Sequence, residues 1–151
     1  MEYINEIYKL STKFYTEYKT CKEILTNEKR SYNCLVLEKK DEYLICIPFR
    51  SEINHKYAYL FKTTNRSQTH KSGLDYTKIV LIKETEYIGT NGLVDNDEYV
   101  EMMRNIQQIN REVNDYIDGY IQYIKNKETE NKKLKKYKYT TLKYFHDILK
   151  I

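Results

Sequence analysis

The chain has 151 residues and a formal charge of +4, a size expected to form a single domain over 1–151 around one core. Its 17 Tyr and 4 Phe offset a mean hydropathy of −0.80 and 32% charged residues, so folding is expected and intrinsic disorder is not. No apolar run approaches the roughly 20 residues of a membrane span, and the opening MEYINEIYKL lacks the apolar centre of a signal peptide. Cys21, Cys34 and Cys46 form no CxxC and no Cys/His cluster, so membrane association, a zinc site and a disulfide framework are all disfavoured, and a reducing cytoplasm fits best.

In chain order, residues 4–10 read as a strand. Ser11 is placed to cap a helix over 12–25, along which Phe14, Tyr15, Tyr18, Cys21 and Ile24 recur at helical spacing. Residues 32–39 and 42–49 are rich in Val, Ile and Leu and are joined by Lys40 and Asp41. They resemble a hairpin whose second strand ends at Pro48. Two more strands are expected over 57–62 and 78–83, the latter apolar on both faces and so central, with a short one at 86–88. The period then changes. A long helix over 96–127 starts at a capping-box-like Asp95 and Glu98 and carries a stripe through Met102, Ile109, Val113, Ile117 and Ile124. A last helix over 140–150 has Thr140 or Thr141 as its cap and Leu142, Phe145, Ile148 and Leu149 as its buried side. This order predicts an α+β fold, a twisted and mainly antiparallel sheet with an N-terminal helix, one long helix and a C-terminal helix.

Charge is unevenly distributed. Residues 1–47 are neutral, 50–78 carry a net +4, 79–124 a net −6 and 125–151 a net +6. Basic segments interleaved with tyrosine suit phosphate neutralisation combined with base stacking, the usual recognition of single-stranded nucleic acid.

Walker, GxGxxG, GxSxG, HExxH and EF-hand patterns are absent from the sequence, so most enzyme classes lose support. The remaining chemistry lies in the run from Phe49 to Tyr57 and in Arg66, His70, Lys71, Asp75 and Lys78. Metal-free RNA cleavage needs a base for the 2'-OH, cations for the phosphorane and an acid for the 5'-oxygen. His55, or a lysine with a lowered pKa, could be base or acid. Arg50 and Lys56 could hold the phosphorane oxygens, and Ser51 could donate a hydrogen bond. Carboxylates are scarce in this stretch, which disfavours a two-metal site, and no cofactor is expected. Asp75 could simply pair with a nearby cation, and Ser72-Gly73 could simply be a turn.

At these residues the chain resembles the toxins of type III toxin–antitoxin systems, the ToxN/AbiQ superfamily, and most closely its CptN/TenpN branch. The resemblance rests on PFRSEINHKYAYLFK at 48–62 and HKSGLDYTKIVLI at 70–82, with LSTKFYTEY at 10–18 and the hairpin in supporting roles. It implies a MazF-like core and a metal-independent endoribonuclease that leaves 2',3'-cyclic phosphate and 5'-OH ends. It also implies partners: cellular RNA as substrate, and a small antitoxin RNA cut into pseudoknots and held in a closed protein–RNA assembly. In the family's Thr-Ser pair, Ser51 matches the serine and Arg50 replaces the threonine. The family's lysine aligns loosely with Lys56, and His55 has no counterpart, so the general base stays open. Where the family has an early helical tyrosine, this chain has Phe14 followed by Tyr15.

The expected catalytic set is therefore Arg50, Ser51, His55 and Lys56. The expected RNA contacts are Lys62, Arg66, His70, Lys71, Tyr76 and Lys78, with Lys132, Lys133, Lys135 and Lys136 as a secondary zone. A non-catalytic RNA-binding module using the same basic face is the alternative.

Overall fold

A computed structural model describes residues 4–25, 32–40, 42–126 and 131–151. It is an α+β fold built on a seven-stranded sheet in which every pairing is antiparallel. The strands are β1 (Ile7–Leu10), β2 (Asn33–Lys39), β3 (Tyr43–Arg50), β4 (Ala58–Leu60), β5 (Gly73–Asp75), β6 (Val80–Ile82) and β7 (Ile88–Asn91). Their order is β4-β5-β3-β2-β1-β7, with β6 also on β3. The β2–β3 pairing runs from Cys34↔Pro48 to Lys39↔Tyr43, as the sequence suggests, although Asp41 of the connection lies outside the described residues.

The expected strand over 78–83 is shorter and differently placed. β5 and β6 follow one another along β3, through Phe49↔Leu74 and then Cys46↔Val80 to Leu44↔Ile82, and a 3-10 turn at Tyr76–Lys78 loops out between them. The break has a local cause: the Asp75 side chain accepts the Thr77 N–H at 2.9 Å, an Asx-type bond that competes with the ladder. β6 is buried on both faces yet pairs only β3 among the described strands. Its surroundings include Thr141, whose hydroxyl donates to the Ile79 carbonyl. β3 passes Pro48 and continues to Arg50. Pro48 falls between the residues that pair β6 and those that pair β5, where its missing N–H costs little. Ser72-Gly73 is not a turn, because Gly73 pairs both Arg50 and Leu60. A Cβ there would sit 2.0 Å from the Tyr59 carbonyl oxygen, so only glycine lets β4 come this close.

The helices differ from expectation in length. α1 covers only Thr12–Glu17, although Ser11 caps it as predicted by accepting the Phe14 N–H at 3.3 Å, and Ile24 is still buried beyond its end. The long helix divides into α2 (Asn96–Arg104) and α3 (Ile106–Lys125) at Asn105, whose side-chain amide donates to the Glu101 carbonyl at 2.8 Å. The lysine run, for which no helix is expected, forms α4 (Asn131–Tyr137), anchored by buried Tyr137, and the C-terminal helix reduces to a 3-10 turn at Thr141–Tyr144 followed by α5 (His146–Leu149). The core joins Phe14, Leu35, Ile45, Ile47, Leu74 and Leu81 to Met102, Ile109, Val113, Leu142 and Phe145. No helix among the described residues is long and apolar enough to cross a membrane.

Candidate functional site

At the end of β3 the chain turns sharply. Glu52 takes a left-handed backbone conformation with φ 57°, a strained choice for a non-glycine residue that concentrates at functional sites. Ile53, 1% exposed, anchors the turn, and its N–H donates to the Lys71 carbonyl at 2.8 Å. Beside this turn opens a cleft of about 560 Å³ whose polar lining includes Arg50, Ser51, Glu52, Arg66, His70 and Glu98.

Arg50 reaches the cleft from a fixed base. Its Nη1 donates to Asp75 Oδ2 at 2.7 Å, and the Asp75 side chain is fully buried. The other oxygen, Oδ1, accepts the Thr77 hydroxyl at 2.6 Å and the Thr77 N–H, with His55 Nε2 at 3.2 Å. Burial opposes the charge on Asp75, but the hydrogen bonds from His55, Thr77 and Arg50 outweigh it and hold the carboxyl below its ordinary range.

His55 is held at both ring nitrogens. Nδ1 accepts the Tyr57 N–H at 3.0 Å, which leaves the proton of the neutral ring on Nε2, facing Asp75. His70 differs. It lines the cleft with Nδ1 bonded to the Glu52 carboxylate, and its Nε2 has no protein partner among the described residues. Arg66 and His70 ride on a loop held by α2. Glu101 accepts the Tyr59 hydroxyl at 2.7 Å, the Thr63 hydroxyl at 2.6 Å and the N–H groups of Lys62 and Thr63, and Asp97 accepts the Asn65 N–H at 2.7 Å. Burial works against ionisation of Glu101, and these bonds reverse it, lowering its pKa.

The structure thus brings Arg50, Ser51, Arg66 and His70 into one cleft and leaves the other expected residues outside it. Lys56 gathers with Lys136 around Tyr57: their ammonium groups lie 5.9 and 6.0 Å from that ring, and Lys136 also stands over Tyr116 and Tyr137. Burial, with the nearby charges of Lys133 and Lys56, lowers the Lys136 pKa. Lys62, Lys71 and Lys135 are exposed, and the side chain of Lys132 lies outside the described residues. Lys78 is half-buried, donates to the Tyr139 carbonyl at 3.0 Å, and has its pKa pulled down by burial. Tyr76, expected as an RNA contact, is 4% exposed, with its hydroxyl donating to Glu112 at 2.8 Å, because the looped-out turn folds its ring under α3 rather than towards solvent. Phe14 is wholly buried, and burial pushes the adjacent Tyr15 phenol up to about 12.

The sequence reading missed the cleft's acidic wall. Glu52 comes from the same stretch as Arg50, but Asp95 and Glu98 arrive from the start of α2, with Asp95 accepting from Arg66 at 3.3 Å. Glu98 is 3% exposed, and burial raises its pKa against the pull of Arg66. The capping-box pattern at 95–98 marked a helix start but not a cleft wall. Among the described residues no group of three or more His, Cys, Asp or Glu side chains is arranged to hold a metal ion. Compared with protein-family models, curated proteins and solved structures, the chain shows no match.

Proposed function

We propose that this chain is a metal-independent endoribonuclease of the type III toxin kind, with a MazF-like core and with the cleft at the end of β3 as its RNA site. The observation that carries the reading is Arg50, fixed by a buried carboxylate and presented beside Ser51, Arg66 and a carboxylate-bonded His70. A guanidinium held in place is suited to the charge that develops on a phosphorane, since it need not reorganise as the reaction proceeds. Ser51 donates a hydrogen bond to a non-bridging oxygen and Arg66 binds a flanking phosphate. His70, oriented through Nδ1 by Glu52, takes the 2'-OH proton at Nε2 and returns a proton, through water, to the leaving 5'-oxygen. The 2'-oxygen forms its bond to phosphorus as the bond to the 5'-oxygen breaks, which yields a 2',3'-cyclic phosphate and a 5'-OH. His55 belongs behind this centre: with both nitrogens engaged, it positions Asp75 and through it Arg50. The basic group of Lys56, Lys133 and Lys136 serves the RNA backbone, in keeping with a small repeat-derived antitoxin RNA as the inhibiting partner in a closed assembly.

The test is to incubate the purified chain with mixed cellular RNA in EDTA and to map the new ends. Discrete cyclic-phosphate ends that disappear in Arg50→Ala and in His70→Ala are expected. RNA that co-purifies with the protein yet stays intact would sink the nuclease reading and leave a binding module.

A further inference from the structure

The cleft has an apolar rim that phosphate chemistry does not need. Leu93 is 86% exposed and lines the cleft, as do Tyr32, Phe49 and Val94. A single exposed leucine is ordinary on a protein surface, but this one is held in place from both sides. Asn33 Nδ2 donates to the Leu93 carbonyl at 2.8 Å, and Asn33 Oδ1 accepts the Leu93 N–H at 3.2 Å. The preceding Gly92 donates its N–H to the Ile7 carbonyl at 2.9 Å. A Cβ on Gly92 would lie 2.4 Å from Asn33 Oδ1 and 2.8 Å from Ile7 Cγ2, so the clamp closes only over glycine. The backbone is thus fixed on either side of a side chain that makes almost no contact of its own.

The second observation is Glu98. It lines the same cleft at 3% exposure, where its carboxyl accepts the Asp95 backbone N–H and feels the charge of Arg66. An ionised carboxyl has about four acceptor positions, so the Asp95 N–H leaves Glu98 able to take a further donor from a ligand in the cleft.

We infer that the cleft holds an unpaired nucleobase beside the bound phosphate, with Leu93 covering one face of the base and Glu98 accepting a hydrogen bond from an N–H on its edge. The inference rests on the RNA-cleaving reading for the phosphate position. The chemistry fits single-stranded RNA, whose splayed bases offer a flat apolar face and polar edges together, while Arg50 and Arg66 meet the backbone. A carboxylate selects bases by their N–H donors and repels edges that present only acceptors.

The experiment measures binding of a short mixed-sequence single-stranded RNA carrying 2'-O-methyl groups, which block cleavage, to the wild type, Leu93→Ser and Glu98→Gln over a range of salt. Because Leu93 is exposed, its replacement leaves the fold intact, and a thermal melt of both variants checks this. Loss of the base contact is expected to weaken binding by Leu93→Ser about tenfold, near the low end of what one stacked base contributes. The slope against log salt should not change, since no phosphate contact is lost. Glu98→Gln is expected to change which base is preferred in a pool of randomised RNAs. Unchanged affinity in Leu93→Ser together with an unchanged base preference in Glu98→Gln would overturn the inference, as would a wild type with no affinity for single-stranded RNA. If Leu93→Ser instead shifted only the protein's oligomeric state, the rim would be a protein contact and the inference would fail. A wild type that binds with this base dependence but never cuts unmethylated RNA would sink the nuclease reading alone.

Discussion

Replacing Asp75 with asparagine removes one charge from the centre of the Arg50 arrangement without altering its shape. Oδ1 accepts from Thr77 twice and faces His55, so the amide oxygen is expected to stay there. The new NH2 group then takes the place of Oδ2 and points at Arg50 Nη1, a donor facing a donor across 2.7 Å. A hydrogen bond to a charged group is worth about 1.5–3 kcal/mol, and Arg50, with its side chain 27% exposed, recovers part of this by turning to water. The net cost is expected near 2 kcal/mol, or about 4–8 °C in melting temperature for a chain of this size. The loss should depend on pH. Asp75 titrates below its ordinary value in the folded state, so its ionisation favours folding. That contribution is present above the unfolded pKa of about 3.9 and is lost as pH falls through the lower folded value. Urea titrations of both proteins at neutral pH and at about pH 3 should therefore show a gap that narrows in acid. A penalty below about 0.5 kcal/mol at neutral pH, or a gap that is the same at both, would refute the account of Arg50 as a residue held by a buried charge.

Two further substitutions test the scaffold that sets the site. Gly73→Ala puts a methyl group where the Tyr59 carbonyl approaches to 2.0 Å, so β4 must separate from β5, at a cost of about 3 kcal/mol or more. Urea unfolding and amide exchange around Tyr59 and Leu74 measure this, and an unchanged midpoint would contradict the close approach. Thr141→Val keeps the shape of a fully buried side chain but deletes the hydroxyl that donates to the Ile79 carbonyl and lies 3.3 Å from that of Thr77. The expected loss is about 1–3 kcal/mol, with Thr141→Ser losing less. Equal stability of the valine variant and the wild type in a thermal melt would show that these carbonyls need no partner.

The elements that sequence reading locates well are those whose determinants are local. Ser11 caps α1 because its own hydroxyl meets Phe14 three residues on, and the β2–β3 hairpin follows from its two apolar runs. Its errors arise where a distant contact decides. Nothing near Gly73 signals a strand, because the reason for glycine there is the backbone of Tyr59. The continuous apolar stripe across 96–124 conceals the break at Asn105, which depends on a side-chain bond to the Glu101 carbonyl and not on periodicity. The C-terminal lysines give no helical signal because their charge masks Tyr137, the residue that docks α4 on the core through Tyr116 and Tyr120.

The same division runs through the site. Arg50, Ser51, Arg66 and His70 are recognisable as a polar cluster of phosphate-binding types, and the fold gathers these four in one cleft. What one-dimensional reading cannot decide is which of two similar histidines keeps a nitrogen without a partner among the described residues. His55 is nearer Arg50 in sequence, yet its Nδ1 is bonded by the backbone of Tyr57 and its Nε2 faces a carboxylate. His70 is 20 residues from Arg50 in the chain and reaches the cleft through a left-handed turn at Glu52 and a loop that Glu101 secures. Proximity along the chain favours His55, whereas hydrogen-bond satisfaction favours His70. The second criterion bears directly on proton transfer, because a ring with both nitrogens committed must break a bond before it can accept a proton from any substrate.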